Sequence, residues 1–334
     1  MSAPGPVVVT GADGFAGGAL MSHLRHRRSA TGVTLRGLVR TLSLATAARP
    51  DVLPVGDLTT ITGASLANAL LGARSVVHLA GRAHVMRETA LEPAATFRAI
   101  NVAATERLAR AAAVAGATHF IFASTVKVNG ESTPSAGMFT ESDPPDPQDD
   151  YAASKWEAER VLADVARDTG MPVTILRLPL LYGPGAKGNI ARLTDVIARG
   201  VPLPLASIHN RRSLLGAGNF SSAVDALLRG PPPAHRATAT YFLADPVPVS
   251  TPQLVRAIAA ALGVRPQLFA LPADLLHLVG ACVGKAAAIG RLTRSLEVDS
   301  RTFSAVHDWQ APHSMEEGLA MMVRSRGIPD LPAL

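Results

Sequence analysis

Apolar residues fall along the first half of the chain in short blocks separated by longer stretches of helical periodicity. Val7–Thr10 is a brief apolar run, the mark of a strand buried on both faces. Similar runs at 33–39, 52–55, 75–81, 119–123 and 173–178 predict five more strands. Helical stretches at 18–27, 65–71, 97–115 and 151–169 lie between them. Regular alternation of strand and helix predicts an α/β fold with a doubly wound parallel sheet. Residues 130–150 are too rich in Pro and Asp for a core element and are read as a loop.

After Pro179 the pattern changes. Helices are expected at 190–199, 219–228 and 253–262, the last with Ser250 or Thr251 as N-cap and Pro252 in its first turn. A strand is expected at 241–244, and 272–292 reads as one largely apolar helix broken by His277, Lys285 and Arg291. That helix would face the core or a second copy, or touch a membrane surface. Residues 1–178 would form the sheet domain. Residues 179–334 would form mainly a smaller α/β lobe, with some segments returning to the first domain.

Composition narrows the class. A chain of 334 residues with 48% hydrophobic and 17% charged residues is globular and can fill one large domain plus a lobe. The net charge is +6, but no block of five like charges occurs and aromatic residues make up only 4%. A small anionic ligand therefore fits better than a nucleic acid. The single cysteine, Cys282, excludes an internal disulfide and a Cys-rich metal site, and is expected to be a small buried apolar residue. No metal is expected. With no signal peptide and no 18-residue apolar run free of charge, the expected location is the cytoplasm with no membrane span.

Three stretches carry chemistry. Gly11, Gly14 and Gly17 lie between the first strand and the first helix, where glycines allow a tight turn, approach of a pyrophosphate and close helix packing. This is the dinucleotide-binding, Rossmann-type arrangement. No Asp or Glu lies between Gly17 and Arg49, and Arg40 stands at the end of the second strand. A cation there suits a ribose 2′-phosphate, which favours NADP(H), with NAD(H) possible. Asp57 either accepts from an adenine or caps the next helical turn. Leu79, Ala80 and Gly81 are small enough to leave room for a ribose. Arg82, His84 and Arg87 would meet an anion or solvent, and Asn101 would bridge backbone or face solvent. The third stretch is Tyr151-Ala152-Ala153-Ser154-Lys155. Its phenol and ammonium, four apart on a helix, share one face, and the positive charge should lower the tyrosine pKa.

Gly11/Gly14/Gly17, Ser124-Thr125 and Tyr151/Lys155 occur in that order. Leu176-Arg177, Leu181-Tyr182-Gly183-Pro184 and Asp308-Trp309-Gln310-Ala311-Pro312 follow. The chain thereby resembles the extended short-chain dehydrogenase/reductase superfamily, and within it the NAD-dependent epimerase/dehydratase family. The resemblance implies Tyr151 as acid/base, Lys155 on the nicotinamide ribose and Thr125 on the reacting oxygen. It implies a cofactor bed of Gly11, Asp13, Gly14, Phe15, Ala16, Arg40, Asp57, Leu58, Leu79, Ala80, Gly81 and Pro179. On the substrate side it implies Arg212 for a diphosphate, with Lys127, Asn189 and Leu205 nearby, and a homodimer.

Dehydratases of the family carry Asp-Glu after the catalytic Thr. Here Val126 and Lys127 follow, so no local acid is expected and dehydration is disfavoured. Asn129 replaces the usual Tyr, and Leu180 replaces the Asn of typical 4-epimerases. The segment from Thr125 to Glu131 and Asn210-Arg211-Arg212-Ser213 resemble a UDP-glucose 4-epimerase-like subgroup of bacterial polysaccharide gene clusters. The expected activity is reduction of a UDP-linked 4-keto (6-deoxy-N-acetyl)hexosamine, with a nucleotide-sugar 4-epimerase as the alternative. A non-catalytic NADP-binding regulator and a lipid or steroid reductase are more distant alternatives. A polyprenyl-diphosphate sugar would suit both Arg212 and the apolar stretch Leu275 to Ile289.

Overall fold

The computed structural model describes residues 5–31, 34–44, 46–83, 92–134, 137–235, 237–282, 284 and 286–327. His84, Arg87, Lys285 and the side chain of Cys282 lie outside the described residues. The first half forms β1 (Val7–Thr10), α1 (Phe15–Thr31), β2 (Leu35–Val39), β3 (Val52–Pro54), α2 (Gly63–Leu70) and β4 (Ser75–His78). Next come α3 (Pro93–Phe97), a π-helical segment (Arg98–Ala103), α4 (Ala104–Val114), β5 (His119–Thr125), a 3-10 turn (Val126–Val128), α5 (Asp150–Thr169) and β6 (Val173–Leu178). The second half contributes β7 (Leu180–Tyr182), α6 (Asn189–Ala198), β8 (Leu214–Gly216), α7 (Ala217–Arg229) and β9 (Thr238–Phe242). It closes with α8 (Thr251–Leu262), α9 (Ala273–Cys282), α10 (Ala286–Thr293), α11 (Arg301–His307) and α12 (Met315–Ser325).

Seven strands form one parallel sheet in the order β3-β2-β1-β4-β5-β6-β9. The direction of winding reverses between β1 and β4, which opens a crevice at their C-terminal ends. Because strand side chains alternate, Val7 and Val9 point to one face and Val8 to the other. The first face packs Leu20, Met21 and Leu24 of α1 with Phe220, Val224 and Leu227 of α7 and Phe303 of α11. The second packs Leu66 and Leu70 of α2, Leu108 and Ala112 of α4, and Leu162 and Val165 of α5. Helices α6, α8 and α12 close a separate core around Tyr182, Leu205, Ile258 and Leu319.

Several predicted elements need correction. Helix α1 starts at Phe15 rather than 18, so Gly17 lies in its first turn. The 97–115 helix begins at Pro93 and contains the π-helical segment. Strand β5 runs on through Ser124 and Thr125, and the predicted strand at 75–81 stops at His78. The 272–292 helix is two helices, with Gly284 at φ +68° between them. The paired strands β7 and β8 were not foreseen, because three-residue apolar runs carry no readable period. The α8 cap is as expected: Ser250 and Gln253 form a capping box.

Two buried polar hubs hold the layers together. Asp245 accepts from Tyr182 Oη at 2.7 Å, Asn219 Nδ2 at 2.7 Å and the Gly216 amide at 3.1 Å. This ties β7, β8 and α7 to one carboxylate, and burial pushes that carboxyl upward in pKa. The second hub is an ion pair. Arg177 lies in β6, where every other residue is also buried, and its Nη2 meets Glu159 Oε2 of α5 at 2.7 Å. Arg177 Nη1 donates to Asn129 Oδ1 at 3.0 Å, and the Ser124 hydroxyl donates to Glu159.

Breaking a buried pair strands a charge. Arg177→Met should therefore lower the unfolding free energy by about 3–5 kcal/mol, measured by urea denaturation, whereas exposed Arg98→Met should change it little.

Candidate active site

Gly11 has φ +66°, and a Cβ there would lie 2.9 Å from the Ala80 amide nitrogen. A Cβ on Gly17 would lie 2.0 Å from the Gly11 carbonyl oxygen. The turn thus needs glycine at both positions, and it brings the N-terminus of α1 against the crevice. Phe15 and Ala16 open that helix, and its first turn carries no acidic side chain. The outward amides and helix dipole suit a diphosphate. Asp13 is exposed beside them. Thr10 Oγ1 accepts from the Leu79 and Ala80 amides at 3.2 Å each, which holds the strand exit across the crevice. These residues fit a dinucleotide.

At the adenosine end, Arg40 is exposed at the close of β2. Asp57 accepts from the Thr59 amide at 2.8 Å and the Thr59 hydroxyl at 2.7 Å, so it caps its own turn. Those two bonds, with Arg40 nearby, lower its carboxyl pKa. Leu58 is half-buried beside it. Asn101 is buried, not surface: Nδ2 donates to the Arg82 carbonyl and to Ser154 Oγ at 3.0 Å each, and Oδ1 accepts from the Arg82 amide at 2.8 Å. The π-helical segment turns it inward.

The chemistry gathers where β5 ends and α5 begins. Asp149 caps α5 and accepts from the Ala152 amide at 2.7 Å. Tyr151, Lys155 and Glu159 then follow at four-residue intervals on one face. The Tyr151 phenol lies near the Thr125 hydroxyl, and its ring lies 6.1 Å from that of Phe97. Lys155 Nζ lies 3.8 Å from the centre of the Phe122 ring. Below it, His78 is held by Thr10 Oγ1 at 2.7 Å and Thr105 Oγ1 at 2.9 Å.

The electrostatics reverse the expected lowering of Tyr151. Burial pushes its phenol up to about 12, and the Asp149 carboxylate adds to this, while the nearby Thr125 hydroxyl opposes it. Burial pushes Lys155 down to about 7, with Glu159 opposing. Both groups are desolvated, and desolvation favours the neutral form of each.

On the substrate side, Lys127 Nζ pairs with Glu131 at 2.6 Å and Asp149 at 2.7 Å. The expectation of no local acid is thus corrected. Two carboxylates stand there, supplied by positions 131 and 149 rather than by the residues after Thr125, and both are tied to Lys127. Arg212 is half-buried and donates to the Arg294 carbonyl at 3.1 Å. Burial and the nearby Arg291 lower its pKa, and Glu131 opposes this. Glu131 therefore bridges Lys127 to Arg212 electrostatically. Asn189 is exposed at the start of α6. Leu205 is only 3% exposed, so its side chain belongs to the lobe core. Pro179 is buried between β6 and β7. Glu159 was not foreseen as part of this site. An arginine inside the largely apolar strand Val173–Leu178 was the signal that an inward partner had to exist.

Fold and site define a Rossmann-type protein of the extended short-chain dehydrogenase/reductase class. The profile described as NAD dependent epimerase/dehydratase family matches residues 7–235. A UDP-glucose 4-epimerase of Vibrio cholerae is 35% identical over 94% of this chain and 93% of that protein. The N-acetyl-alpha-D-glucosaminyl-diphospho-ditrans,octacis-undecaprenol 4-epimerase of Escherichia coli O157:H7 is 26% identical over 81% of this chain and 82% of that protein. MoeE5, solved in complex with UDP-glucuronic acid and NAD, superposes with a TM-score of 0.76 at 25% identity, over 97% of this chain and 99% of that one. The chain belongs to the NAD-dependent epimerase/dehydratase family. Among the described residues no helix is long and apolar enough to cross a membrane, and no group of three or more His, Cys, Asp or Glu could hold a metal ion.

Two buried histidines give the fold a pH dependence. Burial, then Lys155, pushes His78 down to about 3. Burial, then His307 and Arg74, pushes His119 down to about 4. The unfolded chain binds more protons below about 6.5, so stability should fall as pH drops from there towards 4. Urea midpoints at stepped pH should show this fall, with a shallower slope in His119→Gln.

Proposed function

We propose that the chain is a 4-epimerase of a UDP-linked hexose working with bound NAD. The observation that carries this reading is the placement of Tyr151 and Lys155 one turn apart on one face of α5, where β5 ends at Thr125, with Lys155 Nζ 3.8 Å from the centre of the Phe122 ring of β5. The name and near-full-length match of the Vibrio cholerae relative support it, as do the ligands bound to MoeE5. In this reading Gly11, Gly14 and the α1 N-terminus hold the cofactor diphosphate, and Lys155 holds the ribose. NAD supplies a hydride acceptor and donor for sugar C4. Tyr151 takes the proton of the C4 hydroxyl and returns it after the keto sugar has turned over, and Thr125 holds that oxygen in both halves. The charged form of Lys155 favours the phenolate needed for the first half. Arg212 binds the substrate diphosphate.

A second reading rests on Arg40, exposed at the end of β2 with no acidic residue between Gly17 and Arg49. That favours NADPH and a 4-keto sugar reductase, which exchanges cofactor at each turnover. The two separate cleanly. The epimerase should retain NAD through gel filtration and convert UDP-glucose or UDP-N-acetylglucosamine to the C4 epimer, followed by NMR, without net oxidation. Sustained NADPH consumption with a 4-keto sugar nucleotide would replace it with the reductase. Including a polyprenyl-diphosphate sugar tests the carrier. In either case Tyr151→Phe should cut kcat by roughly 10²–10⁴-fold while NAD still raises the melting temperature.

A further inference from the structure

Lys155 is a buried ammonium whose nearest acidic neighbour along the helix is already engaged. The residue is only 6% exposed. Glu159, one turn further along the same face, accepts from Arg177 through Nε and Nη2 and from the Ser124 hydroxyl. Among the described residues no carboxylate makes an ion pair with Lys155. His78 offers it no lone pair, because Thr10 and Thr105 occupy both ring nitrogens. A cation taken out of water needs some substitute for its hydration.

The group that meets the ammonium is an aromatic face. Lys155 Nζ lies 3.8 Å from the centre of the Phe122 ring, inside the range of about 6 Å over which a ring quadrupole attracts a cation. Phe122 is itself fully buried and held in place. It stands opposite His78 in the β4–β5 register, and the two rings stack at 5.8 Å with 24° between their planes. Packing alone does not require a ring there. Val76 and Ile175 fill the same face of the sheet with aliphatic side chains, and only an aromatic presents a negative face to a cation.

We infer that Phe122 is a positioning residue, whose ring face holds the Lys155 ammonium in place and in its charged form. Burial pushes Lys155 down towards neutral pH, and the ring opposes that push. Tyr151 and Glu159 share the Lys155 face of α5. The elements packed against α5 add Arg98, Glu106, Arg107, Arg110, His119, Lys127, Arg177 and Tyr241. Beyond them stand His78 on β4, Arg82 after it, and Arg212 with Glu131 on the substrate side. The substitutions at position 122 leave all of these unchanged. In the function proposed above, on which its use rests, a cationic Lys155 holds the ribose and favours the Tyr151 phenolate.

The ring can be altered without altering its shape. Phenylalanine carrying one, two or three fluorines at position 122 keeps nearly the same volume while its negative face is weakened in steps. Chain labelled with 13C-lysine reports the titration by NMR. Only four lysines occur, Lys127, Lys155, Lys187 and Lys285, and Lys155→Met assigns the resonance by its loss. The Lys155 midpoint should fall with each added fluorine, by roughly 0.5–1.5 pH units in total. Phe122→Leu should lower it at least as far. The ammonium is lost as pH rises, so the alkaline limb of kcat should move to lower pH in the same order. An unmoved or raised midpoint in a folded trifluorinated protein would overturn the inference, even if Phe122→Leu proves unstable. Absence of epimerase turnover alongside the stepwise fall would instead count against the proposed reaction alone.

Discussion

The buried ion pair between Glu159 and Arg177 constrains everything built around the site. Arg177 occupies an interior strand in which every other residue is buried, so its charge requires a partner close at hand. Glu159 supplies it from α5, two turns beyond Tyr151, and the pairing fixes the rotation of that helix about its axis. Tyr151 and Lys155 then face the crevice because Glu159 faces the strand. The same network reaches Ser124 and Asn129, one on each side of the Thr125 turn. The helix carrying the phenol and the strand end carrying the hydroxyl are therefore positioned by one set of bonds.

The site also shows how a protein and its ligands divide electrostatic work. The bare chain holds Tyr151 as a phenol and weakens the charge on Lys155, both through burial. In the proposed reaction, donors and acceptors on the ligands would have to reverse part of that desolvation.

Much of this was legible in the sequence. Apolar runs of strand length placed the six strands from Val7 to Leu178, and the glycine spacing placed the turn. Four-residue spacing put Tyr151 and Lys155 on one face. What was hidden depended on contacts far apart in sequence. The 272–292 stretch looked continuous because apolar composition does not reveal where a glycine adopts a left-handed conformation. The pairing of Lys127 was not legible because its partners come from positions 131 and 149. Tyr151 looked activated because spacing reports proximity and says nothing of desolvation. Of the two roles left open for Asp57, an adenine contact or a cap, the Thr59 contacts realise the cap. Leu205 could not be assigned to a core that also draws on Ile258 and Leu319, more than fifty residues away.

The first face of the sheet has a consequence for how the chain is made. Its covering includes Phe220, Val224 and Leu227 of α7 and Phe303 of α11, and strand β9 pairs against β6. A ribosome that has released only the first 178 residues has produced a sheet with one layer incomplete. Apolar positions along β1, β4 and β5 then wait for partners still to be synthesised. At about 5–20 residues per second, that exposure lasts several seconds or more. The interval makes the nascent chain a natural client for chaperones, and slowing translation beyond residue 178 would lengthen it.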